Sequence, residues 1–291
     1  MPATQLSTNS FIKSLRSLRR VRSTPDRKPN HGGDACADTT RDPFTRGLFP
    51  SNKCPLFSVR YRDDWWVCVV ASPLDLVAVD IETTGFGVHD AVTVLGFELP
   101  LGARVFCNTG SATVDDLDTR LQSQLSRPLV CSTHDSEAEL LAAVSEYADD
   151  RLQGDDVLIT AYNGETWSGG FDLPFLRTRY ALQNVAWPFR DLPYADLLPI
   201  ISDLFNTTLN GDDQADLVTA YDVLCDGSLD DLDPFEDSGE AVEAFEDGRF
   251  EPLILHNLSD IGRTRALGLL AQRYCSKSDF QLKSLTPTIH D

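Results

Sequence analysis

The sequence predicts an α/β fold, a mixed sheet flanked by helices, and three observations carry that prediction. Residues 74–109 hold three apolar runs in close succession, "LDLVAVDIE", "AVTVLGFELP" and "ARVFCNT", the pattern of strands joined as a meander. Next, "DSEAELLAAVSEYADDRL" spaces its apolar residues as a helix does, and the fully apolar "DVLITAYN" that follows reads as a buried strand. Finally, "FEPLILHNLSDIGRTRALGLLAQRY" is too long for a strand and reads as one long helix.

The remaining elements follow in chain order. Residues 1–50 are read as a basic, disordered extension. Lys13, Arg16, Arg19, Arg20, Arg22, Arg27 and Lys28 face a single acid, Asp26, in the first thirty positions. Within it "FIKSLRSLRRV" suits a short amphipathic helix, and a nucleic-acid-binding arm is the alternative to a solvated tail. "LFSVRYRDD" and "WWVCVVA" predict a strand pair turning at Arg62-Asp63-Asp64. Asp135 or Ser136 is placed to cap the first long helix, and "DLPFLRTRYALQN" forms another. After "DLPYADLLPIISDLF" comes a helical region interrupted by the acidic loop "CDGSLDDLDPFEDSG". Residues 51–280 are therefore expected as one domain and 281–291 as a tail.

Composition narrows the class. The 291 residues suffice for a large single core, and no segment approaches the ~20 consecutive apolar residues of a membrane helix. The N-terminus lacks the apolar core of a signal peptide, so a soluble, cytoplasmic protein is expected. The formal net charge of −20 is built from 34 Asp and 11 Glu against 20 Arg and 5 Lys. Short, strongly hydrated carboxylates with few lysines suggest a chain kept soluble in concentrated salt, hence a halophilic host. Such salt screens surface charge, so acidity does not exclude a nucleic-acid partner. Seven cysteines without a CxxC pair indicate neither a disulfide framework nor a zinc site.

The chemistry concentrates in three places. Asp80 and Glu82 in "VAVDIETTG" lie one residue apart at the end of a strand, so they share one face. Asp172 opens a helix after the strand ending in Tyr162-Asn163 and a Gly-rich loop. His256 and Asp260 stand four residues apart on one face of the last helix. Each has a plainer alternative: a surface acid pair, a helix cap for Asp172, a helix-surface pair for His256 and Asp260. Taken together, four carboxylates from three elements make a hard oxygen donor set that suits Mg²⁺ or Mn²⁺.

In that order, "DIETTG", "AYNGETWSGGFDLPFL" and "HNLSDIGRTRAL" resemble the three motifs of the DEDD superfamily of 3′–5′ exonucleases, which have a ribonuclease H-like fold. The small ribonuclease H-like exonucleases are most similar, and the proofreading domain of family B DNA polymerases has a similar second motif. The resemblance covers about residues 74–275. It implies a ribonuclease H-like mixed sheet, and Asp80, Glu82, Asp172 and Asp260 as ligands of two ions, Mg²⁺ or Mn²⁺. His256 is implied as the water-orienting group or general base, and a DNA or RNA 3′ end as the partner. No membrane partner is expected, since no segment has the length of a membrane helix, and any replication or repair partner would be another chain.

Thr83, Thr84, Asn163 and Arg177 are candidate substrate contacts. Arg179, Arg263 and Arg265 are further phosphate candidates, against the alternative that each pairs with a nearby acid. Two features depart from the family pattern. The loop between Asn163 and Phe171 is long, which leaves Trp167 to reach a base or to bulge into solvent. His256 is separated from Asp260 by three residues, where the histidine subclass has four and the tyrosine subclass three. Two rivals stand beside the nuclease. A catalytically weak nucleic-acid-binding protein would share the scaffold. A haloacid dehalogenase-type phosphatase begins with a similar Asp-x-Asp-x-Thr but leaves Asp172 and Asp260 unexplained.

Overall fold

The computed structural model describes residues 57–58, 68–69 and 74–289, except 154–155, 166–168, 226 and 238. The basic stretch 1–50, the Arg62-Asp63-Asp64 turn and Trp167 lie outside these residues. The strand pair expected around that turn is described at its ladder, where β1 (Phe57–Ser58) runs antiparallel to β2 (Cys68–Val69).

The main sheet comprises β3 (Asp75–Thr83), β4 (Val92–Leu99), β5 (Gly102–Asn108), β6 (Leu129–His134), β7 (Val157–Ala161) and β8 (Pro193–Asp196). A short hairpin, β9 (Thr208–Leu209) with β10 (Asp212–Asp213), stands apart, and β11 (Lys283–Ser284) returns to the sheet edge. The order across the sheet is β11-β8-β7-β3-β4-β5-β6. β3, β4 and β5 form the expected antiparallel meander, whereas β7 runs parallel to β3 and β8 parallel to β7. This mixed sheet with helices on both faces is the α/β arrangement that the sequence predicts, and it is consistent with a ribonuclease H-like fold.

The helices are α1 (Leu117–Gln124), α2 (Glu137–Tyr147), α3 (Asp172–Gln183), α4 (Leu197–Leu204), α5 (Leu217–Leu224), α6 (Gly239–Glu246) and α7 (Phe250–Tyr274). Alternation along β3 decides which face each residue serves. Val77, Val79 and Ile81 pack with Leu140, Leu141 and Val144 of α2 and with Leu173, Leu176 and Tyr180 of α3. On the opposite face Val94, Val105 and Cys107 pack with Leu253, Ile254, Leu258 and Ile261 of α7. Each aliphatic side chain so buried contributes about 1.5–3 kcal/mol of transfer free energy. Asp80 and Glu82, in the other register of β3, therefore face α7.

α7 lies unusually close to the sheet. A Cβ on Gly96 of β4 would collide with the amide oxygen of Asn257, so the missing side chain makes room for that asparagine. Arg265 ties the same helix to β3 through the carbonyl of Leu76, and Gln272 ties it to the carbonyl of Leu74, just before the strand. No helix among the described residues is long and apolar enough to cross a membrane.

Several elements go beyond the sequence reading, the strand β8 and the β9–β10 hairpin among them. α1 buries only Leu117 and Leu121, and β6 is an edge strand burying only Leu129, so neither has a strong apolar period. Lys283–Ser284, in the segment expected as a tail, adds an antiparallel edge strand against Pro193 and Tyr194. Ser136, of the two cap candidates, is the residue that accepts the Glu139 N–H at the start of α2.

Candidate metal centre

β3 and β7 are parallel, so their C-terminal ends lie at the same end of the sheet. Asp80 and Glu82 arrive there on β3, and the register shifts between Glu82 and Thr83. Such an irregularity re-aims the strand where pairing ends. Asp172 arrives as the first residue of α3, after the loop that leaves β7. His256 and Asp260 project from consecutive turns of α7 toward the same place. The structure thus brings together all five residues expected to carry the chemistry.

One oxygen or nitrogen from each of Glu82, His256 and Asp260 falls within a common 4.8 Å. His256 Nε2 stands 3.9 Å from Asp260 Oδ2. Asn257, beside His256 on α7, donates from Nδ2 to Asp80 Oδ2 at 3.0 Å. Arg263, one turn further, is 2% exposed and donates from Nη1 to Asp260 Oδ1 at 2.8 Å and to Asp233 Oδ2 at 2.7 Å. The other oxygen of Asp233 meets His256 Nδ1 at 2.8 Å.

These surroundings oppose ionisation of the carboxyls. Burial pushes Asp80 well up, and the charges of Asp172, Glu82 and Asp260 push it further against the Asn257 hydrogen bond. Burial lifts Glu82 to about 8, although His256 pulls the other way. Asp172 is pushed up to about 8 by burial, then by the charges of Glu82, Asp196 and Asp260. Asp260 rises through burial despite His256 and Arg263. Burial disfavours the His256 cation, yet the Asp233 hydrogen bond and the charges of Glu82, Asp260 and Asp233 raise it to about 9. Burial first, and mutual repulsion second, keep these carboxyls protonated in spite of His256 and Arg263, and their oxygen-rich donor set fits a divalent cation. Asp80, Glu82, Asp172 and Asp260 are the residues that would hold one.

The four candidate substrate contacts make bonds within the chain. Thr83 Oγ1 donates to Gly85 O at 2.8 Å. Thr84 Oγ1 donates to Asp90 Oδ1 at 3.3 Å and accepts from Ala91 N at 3.0 Å, closing the loop after β3. Asn163 takes a left-handed conformation (φ 62°), and its N–H donates to Asp196 Oδ1 at 2.9 Å. Its own side-chain oxygen is buried without a partner. Arg177 pairs with Glu165 at 2.6 Å, and Lys283 reaches the other oxygen of Glu165 at 2.7 Å.

The remaining phosphate candidates are also engaged. Arg179 forks onto both oxygens of Glu137 at 2.8 and 2.6 Å, Arg265 donates to Leu76 O at 3.2 Å, and Arg263 holds the two aspartates described above. For all four arginines the acid or carbonyl partner within the chain is what the structure displays.

Sequence reasoning missed Asp233, Asn257 and Asp196. Asp233 belongs to the acidic loop before α6, where nothing distinguishes it from its neighbours Asp230 and Asp231. Asp196 lies under the loop after β7 and accepts from Asn163 N, Glu165 N and Leu198 N. Asn257 stands inside the quoted third motif, and its place beside the histidine was the one available signal.

No family model and no curated protein matches the chain. Among solved structures it is similar to the family B DNA polymerase of the hyperthermophilic archaeon Pyrobaculum calidifontis, at 16% identity and a TM-score of 0.49. That match covers 71% of this chain and 26% of the polymerase.

Proposed function

We propose that this chain is a metal-dependent 3′–5′ exonuclease that removes nucleoside 5′-monophosphates from DNA or RNA. The observation that supports this reading is the convergence of Asp80, Glu82, Asp172 and Asp260, from β3, α3 and α7, at one end of the sheet. Two divalent ions held there, Mg²⁺ or Mn²⁺, would neutralise the phosphodiester and lower the pKa of the attacking water.

The chain's own groups do the rest. Asn257 fixes one oxygen of Asp80 and Arg263 one oxygen of Asp260, which leaves the remaining oxygens for the site. Asp233 holds the His256 ring with Nε2 toward Glu82 and Asp260, where it can orient water. The water attacks phosphorus in line, and the bond to the 3′ oxygen of the penultimate nucleotide breaks.

An apolar cleft of about 270 Å³ opens beside Asp172, lined by Phe86, Val88, Phe171, Pro174, Phe175 and Thr178. Phe86 is 82% exposed and meets the edge of Phe171 with ring centroids 5.2 Å apart. An exposed ring over an apolar cleft gives the terminal base a surface to stack on, independent of its sequence.

Strands labelled at the 3′ or the 5′ end, as single-stranded DNA and RNA, test the proposal in high salt with Mn²⁺, Mg²⁺ or EDTA. The reading predicts shortening from the 3′ end that EDTA, Asp80→Ala and Asp172→Ala each abolish. Binding without cleavage would favour the nucleic-acid-binding alternative, and free phosphate from a phosphomonoester the phosphatase.

A further inference from the structure

The acidic loop before α6 places a carboxylate behind the histidine. Asp233, its side chain 8% exposed, engages His256 Nδ1 at 2.8 Å, and Arg263 anchors the opposite oxygen of Asp233 at 2.7 Å. The imidazole is itself 12% exposed and cannot turn without breaking that contact. Its second nitrogen, Nε2, faces Glu82 and Asp260 and makes no hydrogen bond among the described residues. The chain has spent a buried carboxylate and a buried arginine on aiming one ring nitrogen at two acids.

A nitrogen in that position has the setting of an ion ligand. Metal-bound histidines characteristically engage a carboxylate through the other ring nitrogen, which fixes ring orientation and tautomer. The spacing agrees. With metal–nitrogen and metal–oxygen bonds of about 2.0–2.2 Å, two ligands of one ion lie no more than about 4.4 Å apart. Nε2 and Asp260 Oδ2 are separated by 3.9 Å, and Glu82 needs only a small side-chain movement to join them.

We propose that His256 Nε2, Glu82 and Asp260 form a mixed nitrogen–oxygen site for a first-row transition ion such as Mn²⁺, with Asp233 as the positioning residue that aims the ring. The inference rests on the exonuclease reading for Glu82 and Asp260 as ligands, and it replaces one all-oxygen position by one that imidazole biases away from Mg²⁺. When Nε2 binds an ion its lone pair is occupied, so His256 then acts as a ligand and the attacking water gives its proton to solvent.

Pulsed electron paramagnetic resonance on the full chain loaded with Mn²⁺ tests this directly. The expected result is ¹⁴N modulation from a bound imidazole, lost in His256→Gln while Mn²⁺ remains bound. Titration calorimetry should show the Mn²⁺-over-Mg²⁺ preference falling about tenfold or more in that variant. Bound Mn²⁺ without nitrogen coupling, coupling that survives His256→Gln, or no Mn²⁺ binding at all would each overturn the proposal. The labelled-strand assay separates the two readings. Nitrogen coupling with no cleavage of any strand leaves the site standing and removes the exonuclease. Cleavage without coupling does the reverse.

Discussion

Without a divalent ion, the protein should lose stability as the pH rises from about 5 to 8. Glu82 moves from an ordinary 4.5 to about 8 in the fold, and Asp172 from 3.8 to about 8. Between those limits the folded chain keeps a proton that the unfolded chain has released. The stability from each group is fully present below its unfolded pKa and lost as the pH rises through the folded one. One such proton corresponds to about 1.4 kcal/mol per pH unit, so a single carboxyl removes about 3 kcal/mol between pH 5 and 7. His256, raised from 6.5 to about 9, adds a loss of the same sign between those values. Glu137, Glu165 and Asp233 are shifted down and act below about pH 5, while His134, lowered from 6.5 by burial, opposes the loss only below pH 6.5. A bound ion holds the carboxylates charged, which should flatten the slope and add about 2.7 kcal/mol at a hundred times its dissociation constant. Urea titrations at several pH values, in EDTA and in Mn²⁺, give both slopes. Stability that stays level or rises with pH in EDTA would refute the claim that burial keeps these carboxyls protonated in the ion-free fold.

Three further outcomes follow from the same geometry. Asp172→Asn removes a repelling charge from a buried cluster, so the ion-free variant should be more stable than wild type at pH 8 by urea midpoint, yet fail to cleave; a lower midpoint contradicts the repulsion. Gly96→Ala should cost about 1–3 kcal/mol of unfolding free energy and weaken Mn²⁺ binding, because the new methyl displaces Asn257 from Asp80; unchanged ion affinity would show that Asn257 does not position the carboxylate. Phe86→Ala should leave the urea midpoint within about 0.5 kcal/mol of wild type. It should weaken binding of a single strand by about 1–3 kcal/mol if the ring stacks on a base, as fluorescence anisotropy would measure.

Much of this was legible in the sequence because the chemistry sits on regular elements. The period of two along β3 placed Asp80 and Glu82 on one face, and the period of α7 placed His256 one turn from Asp260. Neither inference needed tertiary information. What escaped depends on contacts far apart in sequence. Asp233 reaches His256 across 23 residues, and Asn257 reaches Asp80 across 177. An aspartate in a loop full of aspartates carries no local mark of its partner. The arginines show the converse difficulty. Arg177, Arg179, Arg263 and Arg265 all suit phosphate by type, but the acids and carbonyls that occupy them lie elsewhere in the chain, apart from Asp260, which pairs with Arg263 on the same helix. α1 and β6 escaped because each buries only one or two apolar side chains, too few to set a period.

On the proposed function, Asp80 and Glu82 share a face of β3 because they share divalent ions with Asp172 and Asp260. Anomalous diffraction from crystals soaked in Mn²⁺ tests it without reference to activity. The expected result is anomalous density enclosed by these four carboxylates, with the side chains drawn around it. Crystals in which Mn²⁺ occupies other surface acids while this cluster stays empty and protonated would contradict it.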